Sequence, residues 1–486
     1  MYLIINLGLK SLRCIVLKDN GKVISSNSII VNTRIKNNFV EQDAVNYKNI
    51  LNKLLSDLSK SGLSNKIKFI SVTTSANCLL GLSREFKPVT KVMTVLDFRA
   101  SEKSFQKILL NKKVSLDASH NLSKIIWLKY FDKKNFNKCC YWINNSDYLT
   151  YLFTGKLCTD PLNFSKFHLK SKNSSKDILE KFYIKKINFP ELKEIGSNFR
   201  IKSSLIKRFN FSEDCRFILT TYDAICACLG SLNQNNLYNN ACDVSGTVTS
   251  FRYLSQKKPK SVRGLKISYI PLIKHYIIGL SNNLGGGIIE WYKSFINKTD
   301  YYKKLKNSYN KGNNYFYFFP FIFGDRDLDF RETGRGVFFG LGSNTNIHDM
   351  TKGVVDSVCF VSKYLFDRLN LSNKKFNSIT LSGGLTRINF INFLKSNLFE
   401  TKVYTCNNFE STTLGCLILM LMSTTKRKFT DVIKIIKLKE VKKNKKKTAD
   451  IKSKYSFFKY FIKKNKKLFR MHDRTLIKEN PHFRNL

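Results

Sequence analysis

Apolar residues fall along the chain in short strand-type runs and in helix-spaced stripes, and the two kinds alternate. Tyr2 to Ile5, Cys14 to Leu17 and Val23 to Val31 have the length and content of buried strands. Asn6-Leu7-Gly8-Leu9-Lys10-Ser11 joins the first two and Asp19-Asn20-Gly21-Lys22 the next, which predicts an antiparallel meander. From Asn46 to Leu63 the spacing of Ile50, Leu51, Leu54, Leu55 and Leu58 predicts a helix. Ile67 to Thr73 then reads as a buried strand entering the polar turn Thr74-Ser75-Ala76-Asn77, completing an α/β unit. A helix is predicted from Ser146 to Phe153, whereas residues 171–215, rich in Lys, Ser and Asn, read as peripheral.

The arrangement then recurs. Ala241 to Val244 is a strand, Ser245-Gly246-Thr247 a turn and Val248 to Tyr253 the return strand, with Ile267 to Ile270 and Tyr276 to Leu280 after them. Helices are predicted at Gly286 to Phe295, Asp349 to Leu369 and Phe390 to Leu398, a strand-like run at Tyr315 to Phe323, and a strand at Ser378 to Leu381 ending in Gly383-Gly384. Two hairpins with polar glycine turns, about 240 residues apart and each heading an α/β unit, argue for an internal duplication. Two related lobes facing each other across a cleft are the expected result.

The candidate chemistry sits between and on those turns. An apolar run from Ile218 delivers Asp223 to the start of a small-residue helix, where it reads either as an N-cap or as a base. Backbone amides in a glycine turn can converge on an oxyanion, so two such turns on opposite lobes can hold a triphosphate. Ser11, Ser245 and Thr247 could add hydroxyl donors, and Gly383-Gly384 suits close approach of a nucleotide base or ribose.

Composition narrows the alternatives. A length of 486 residues implies two or three domains, and 43% hydrophobic content with 39 Phe and 22 Tyr excludes a wholly disordered chain. The formal charge of +49 would ordinarily direct attention to nucleic acid, but lysine is spread throughout and travels with Asn, Ile and Phe. That is the pattern of a compositional bias, so nucleic acid is a disfavoured partner. Charge concentrates only in the last stretch, around KLKEVKKNKKK and IKKNKKLFR, where a solvated helical face is the leading reading. The twelve cysteines include no CxxC pair, which fits reduced thiols and a cytoplasmic location. The N-terminal run reads as a strand rather than a signal peptide, and Tyr315 to Phe323 and Leu414 to Met422 are too short to cross a bilayer.

In this order the residues resemble the FGGY carbohydrate kinases, relatives of xylulokinase and glycerol kinase in the actin-like ATPase superfamily. Asn6-Leu7-Gly8-Leu9-Lys10-Ser11-Leu12-Arg13 stands where the family has its first phosphate loop, Asp-x-Gly-Thr-x-Ser-x-Arg. Val40-Glu41-Gln42-Asp43, Asp97-Phe98-Arg99-Ala100, Thr154-Gly155, Thr159-Asp160 and Asn163-Phe164-Ser165 resemble further N-terminal blocks. Asp223-Ala224 is similar to the catalytic Asp segment and Ser245-Gly246-Thr247 to the second phosphate loop. Asn283-Leu284-Gly285-Gly286, Gly324-Asp325-Arg326, Ser382-Gly383-Gly384 and Glu410 with Leu414-Gly415-Cys416 match later blocks.

The resemblance implies an α/β fold of two ribonuclease-H-like lobes with a cleft between them. Residues 1–235 would be the sugar-binding N-terminal domain, 236–425 the ATP-binding domain and 426–486 a basic helical extension packed on it or trailing it. ATP and Mg2+ would be used to phosphorylate a ketose or polyol, pentulose or hexulose being favoured, with Asp223 as general base. Gly8, Lys10, Ser11, Ser245, Gly246, Thr247, Gly383 and Gly384 would bind nucleotide; Ser75, Asn77, Asp97 and Asp223 the acceptor; Asp223 and, through water, Asn6 the metal. A second copy of the chain is a candidate partner.

Two positions depart from the family pattern. Asn6 replaces Asp, removing a charge that a hard cation favours, and Leu9 replaces Thr, removing a hydroxyl. Two readings follow: an active sugar kinase with weakened metal binding, or a catalytically impaired kinase-fold regulator. For Asp97, a sugar-hydroxyl acceptor and a structural ion-pair partner are both open.

Overall fold

The computed structural model describes residues 1–167, 175–184, 187–259, 264–296, 301–323, 335–370, 374–406 and 410–479. Tyr2–Leu7 (β1), Ser11–Leu17 (β2) and Val23–Ile30 (β3) form the expected meander, with Asn6 opposite Arg13 and Leu7 opposite Leu12. Asp43 caps Ala44–Lys60 (α1) by accepting from the Val45 amide, and Tyr47, Leu51, Leu54, Leu55 and Leu58 supply its buried face. Phe69–Thr74 (β4) returns parallel to β1, as a helical crossover requires.

Two further strands complete this sheet. Asn198–Arg200 (β5) pairs antiparallel with Arg216–Ile218 (β6), which lies parallel to β4, giving the order β5-β6-β4-β1-β2-β3. The segment expected to be peripheral therefore contributes an edge strand. A three-residue strand is too short for hydrophobic alternation to register. A smaller five-stranded sheet, in the order 33–36, 39–42, 92–93, 79–82 and 141–144, flanks the lobe beside helix Asn121–Phe131 (α2).

Asp223–Leu229 (α3) leads into the second lobe, which repeats the plan. Asn240–Ser245 (β7), Thr249–Ser255 (β8), Lys266–Ile270 (β9) and His275–Asn282 (β10) precede helices Gly286–Ile296 (α4) and Ile347–Asn370 (α5). Ser378–Ser382 (β11), Asn389–Leu398 (α6) and Lys402–Cys406 (β12) follow. β7 pairs antiparallel with β8 and parallel with β11, just as β1 does with β2 and β4. That shared pattern is the duplication expected from the two hairpins. The motif Gly324-Asp325-Arg326 lies outside the described residues.

The lobes meet where α3 crosses Ser411–Thr424 (α7). A Cβ on Gly415 would stand 1.7 Å from the Cys226 carbonyl oxygen, and one on Gly230 1.9 Å from that of Ser411. The two backbones touch, so glycine is required at both positions. All twelve cysteines are free thiols. Beyond residue 425 the chain first adds Leu438–Glu440 (β13) to the sheet edge and only then forms Lys445–Glu479 (α8). α8 is packed on the lobe through Ile451, Tyr455, Phe458 and Ile462, and Lys454 pairs with buried Asp356 at 2.5 Å. Among the described residues no helix is long and apolar enough to cross a membrane.

Candidate active site

The first turn is a tight one, closed by the Gly8 amide donating to the Ser11 carbonyl at 3.0 Å. It is braced from below by Gln42, whose Nε2 donates to the Leu9 carbonyl at 2.8 Å. Gln42 in turn accepts from the buried Tyr47 hydroxyl. Within Val40-Glu41-Gln42-Asp43, Gln42 thus braces the turn, while Glu41 pairs with Arg99 and Asp43 caps α1. Lys10, exposed at the rim, lies 4.0 Å from Glu290 of α4 in the other lobe.

The parallel pairing of β1 and β4 sets Asn6 beside Thr73 and Leu7 beside Thr74, so the turn after β4 emerges next to the first hairpin. Ser75 joins three parts there: its amide donates to the Leu7 carbonyl at 3.1 Å, and its hydroxyl to Asp223 Oδ2 at 3.3 Å. Asn77 has a left-handed φ of 58°, which Asn tolerates, and its buried Oδ1 has no donor among the described residues.

Asp223 is the first residue of α3; the cap position belongs to Tyr222, which makes no side-chain cap. The cap expectation is corrected by one residue. Its half-buried carboxyl is pushed up to about 6 by desolvation, opposed by the Ala224 amide, the Arg252 guanidinium, the Ser75 hydroxyl and the Arg13 guanidinium. A group balanced in this way is ionised at neutral pH and still basic enough to take a proton. The strand end just before it is pinned by Asp160, which accepts from the Thr221 hydroxyl at 2.9 Å.

In the second lobe the turn rests on the start of α4. The carbonyl oxygens of Gly246 and Thr247 accept from the amides of Gly286 and Gly287 at 2.8 and 3.0 Å. Thr247 is exposed, but the Ser245 hydroxyl turns inward, donating to Asp243 Oδ1 at 2.5 Å and accepting from Lys395 Nζ at 3.0 Å. The expectation for Ser245 as a nucleotide-binding residue therefore narrows to its backbone. Gly383, with φ of 88°, packs so closely that a Cβ would lie 2.6 Å from the Ser245 carbonyl oxygen, while Gly384 faces open space. The second turn and the Gly383-Gly384 turn are one packed unit.

Asp97 resolves differently from its acceptor expectation. It is fully buried, accepting from Arg99 Nε and Nη2 at 2.8 and 2.7 Å and from the Val40 amide at 2.9 Å. Its oxygens are engaged, which matches the ion-pair reading. Glu410 bridges the lobes instead, taking both of its oxygens to Arg13 Nη1 at 2.7 and 2.6 Å. Asp243 and Lys395, which hold the Ser245 hydroxyl beneath the second turn, were not singled out from the sequence. Neither is marked by its local sequence: Lys395 shares a helix face with Ile391, Leu394 and Leu398, as a lysine with its stem on an apolar face and its head in water also would.

Two duplicated α/β lobes, each headed by a hairpin with a glycine turn and joined at the helix that begins with Asp223, have the plan of the two-lobed actin-like ATPase fold. Comparison with known proteins gives the particular group. Residues 1–230 match the model of the N-terminal domain, and residues 243–424 that of the C-terminal domain, of the FGGY family of carbohydrate kinases. The chain belongs to that family and is a sugar kinase, with ATP as phosphate donor. It is 23% identical over 439 residues to a xylulose kinase of Staphylococcus xylosus, covering 86% of this chain and 90% of that one. A gluconokinase of Bacillus subtilis is 22% identical over 452 residues, 87% of each chain. Among solved structures, a xylulose kinase from Lactobacillus acidophilus superposes with a TM-score of 0.82 at 21% identity, covering 97% of this chain and all of its own. A glycerol kinase from Plasmodium falciparum with ADP gives 0.74 at 18% identity over 94% and 97%.

Proposed function

We propose that the chain transfers the γ-phosphate of ATP to a hydroxyl of a ketose or polyol, with Asp223 as general base. The observation that carries this reading is the Asp223 carboxyl, tuned to about 6 and hydrogen-bonded by Ser75 between the two turn-bearing lobes. An acceptor O–H beside Asp223 gives its proton to the carboxylate as its oxygen bonds to the γ-phosphorus. The bond to the bridging oxygen of ADP breaks in the same displacement. The amides of the turns at Gly8 to Ser11 and Ser245 to Thr247 would hold the phosphates, and Gly383-Gly384 would admit the adenosine. Ser75 and the Asn77 Oδ1, which has no donor among the described residues, suit acceptor hydroxyls. The relatives' names point to a pentulose or a sugar acid of similar length.

Mg2+ enters this scheme as part of the substrate. Among the described residues no three His, Cys, Asp or Glu side chains gather to hold a metal. Asp223 as the one carboxylate and Asn6, whose strand pairs with the one leading to Ser75, would suit an ion that keeps several waters and is held chiefly by phosphates. Asn6→Asp is therefore expected to lower the Mg2+ concentration for half-maximal activity several-fold, read from Mg2+ titrations of turnover.

The test of the reading is coupled ADP release with xylulose, ribulose, fructose, glycerol and gluconate in turn. Turnover that depends on one of the neutral acceptors supports it, whereas turnover with gluconate alone would keep the transfer and replace the ketose or polyol by a sugar acid. ADP release that none of the five acceptors stimulates refutes it and would favour an impaired kinase-fold protein, the reading raised by the replacements at Asn6 and Leu9.

A further inference from the structure

Three lysines are buried among the described residues, and one of them is unlike the others. Lys395 pairs with Asp243 at 2.6 Å and Lys454 with Asp356 at 2.5 Å, as buried charges ordinarily do. Lys124, on α2, is fully buried with no carboxylate among its hydrogen-bond partners. Its ammonium donates instead to three carbonyl oxygens: Asn77 at 3.0 Å, Thr94 at 2.7 Å and Met93 at 3.5 Å.

Those carbonyls belong to two segments far apart in sequence. One is the turn that carries Ser75 to Asp223, ending in the left-handed Asn77. The other runs from Met93 and Thr94 into the Asp97–Arg99 ion pair. An unpaired ammonium is a costly way to fill space in a core, and a methionine would fill it without that cost. What the ammonium adds is three donors on one atom, which draw both segments to a common point.

We propose that Lys124 is a positioning residue for the acceptor, fixing the turn from Thr73 to Asn77 so that Ser75 and Asn77 meet the sugar in register with Asp223. It touches neither phosphate nor acceptor. The inference rests on the sugar-kinase reading above and adds a residue whose effect falls on the acceptor and not on ATP.

The charge state gives an independent handle. Burial pushes the Lys124 ammonium down to about 8; Asp97, Cys78 and Asp117 oppose that, and Arg99 adds to it. Once deprotonated, the amine has a lone pair facing a carbonyl and one donor fewer, so the turn loosens as pH rises through about 8. Fold stability moves the other way on account of this group. The unfolded lysine, ordinarily at 10.5, binds its proton more tightly than the folded one, so its contribution rises from about 8 to 10.5.

The experiment uses the full chain and the best acceptor from the panel. Lys124→Met is expected to raise the acceptor KM about 10- to 100-fold, as loss of charged hydrogen bonds would, with the ATP KM within about twofold. In the wild type, acceptor KM is expected to rise above pH 8 while ATP KM stays level. Lys124→Arg, which keeps its charge, is expected to recover part of the affinity and to lose that alkaline rise. A Lys124→Met protein that folds with unchanged acceptor KM overturns the inference. So does a wild-type acceptor KM that is flat from pH 7 to 9.5, a measurement that needs no variant. Wild-type protein that phosphorylates no acceptor overturns the sugar-kinase reading and this inference with it, whereas normal turnover with either flat result overturns this inference alone.

Discussion

Asp223→Asn is expected to lower kcat by about 10³-fold or more while leaving the KM values for ATP and acceptor within a few-fold. The amide keeps the volume and can still meet the Ser75 hydroxyl, so the turn after β4 stays where it is. What is lost is the capacity to take the acceptor proton, together with one charge near the metal. Unfolding cannot imitate this result. The folded carboxyl titrates above its ordinary value of 3.8, so its ionisation opposes folding at neutral pH, and the amide removes that penalty. The variant should therefore be at least as heat-stable as the wild type at pH 7. Steady-state kinetics with a thermal melt on the same sample checks both halves.

The second large effect is expected from Lys395→Leu. Lys395 Nζ and Asp243 Oδ2 are 2.6 Å apart and almost wholly shielded from water, with the Ser362 hydroxyl donating to the same oxygen at 2.7 Å. Attraction in such a place is strong but only matches the cost of removing both charges from water. Deleting one partner leaves Asp243 buried and uncompensated, which costs about 3–5 kcal/mol. The expected result is a loss of that size in urea unfolding of the C-terminal lobe, with ATP binding weakened because Ser245 loses a donor beneath the turn. Asp243→Leu combined with Lys395→Leu should regain most of the stability, since two apolar residues need no pairing. A single-variant loss below about 1 kcal/mol would show that water reaches the pair.

Much of this architecture was legible because the chain declares it locally. The two hairpins announce themselves by apolar runs around a polar glycine turn, and their recurrence implied duplicated lobes before any strand pairing was known. Helices such as α1 and α5 show their apolar stripes plainly, and the structure moves their ends by only a residue or a few. The Asp223 cap assignment fell short by one residue for the same reason: a first helical turn and its cap share a composition.

What stayed hidden was decided by distant partners. Asp97 could be read as an acceptor ligand until Arg99 was seen folded back on it. The Ser245 hydroxyl could be assigned to phosphate until Lys395, 150 residues away, was found beneath it. Lys124 and Lys395 are 2 of 84 Lys and Arg residues, and against that background no single lysine stands out. Nothing in the local pattern separates a lysine that turns inward from one that faces water.

The base role proposed for Asp223 is to accept the proton of the sugar hydroxyl. Its most direct test is the pH dependence of kcat/KM for the acceptor between pH 4.5 and 8, at saturating MgATP. A base with its proton affinity at about 6 must be ionised to act, so kcat/KM is predicted to fall about tenfold per pH unit below that value and to level off above it. A profile that remains flat down to pH 4.5, or an acid limb that persists unchanged in Asp223→Asn, would rule out Asp223 as the base.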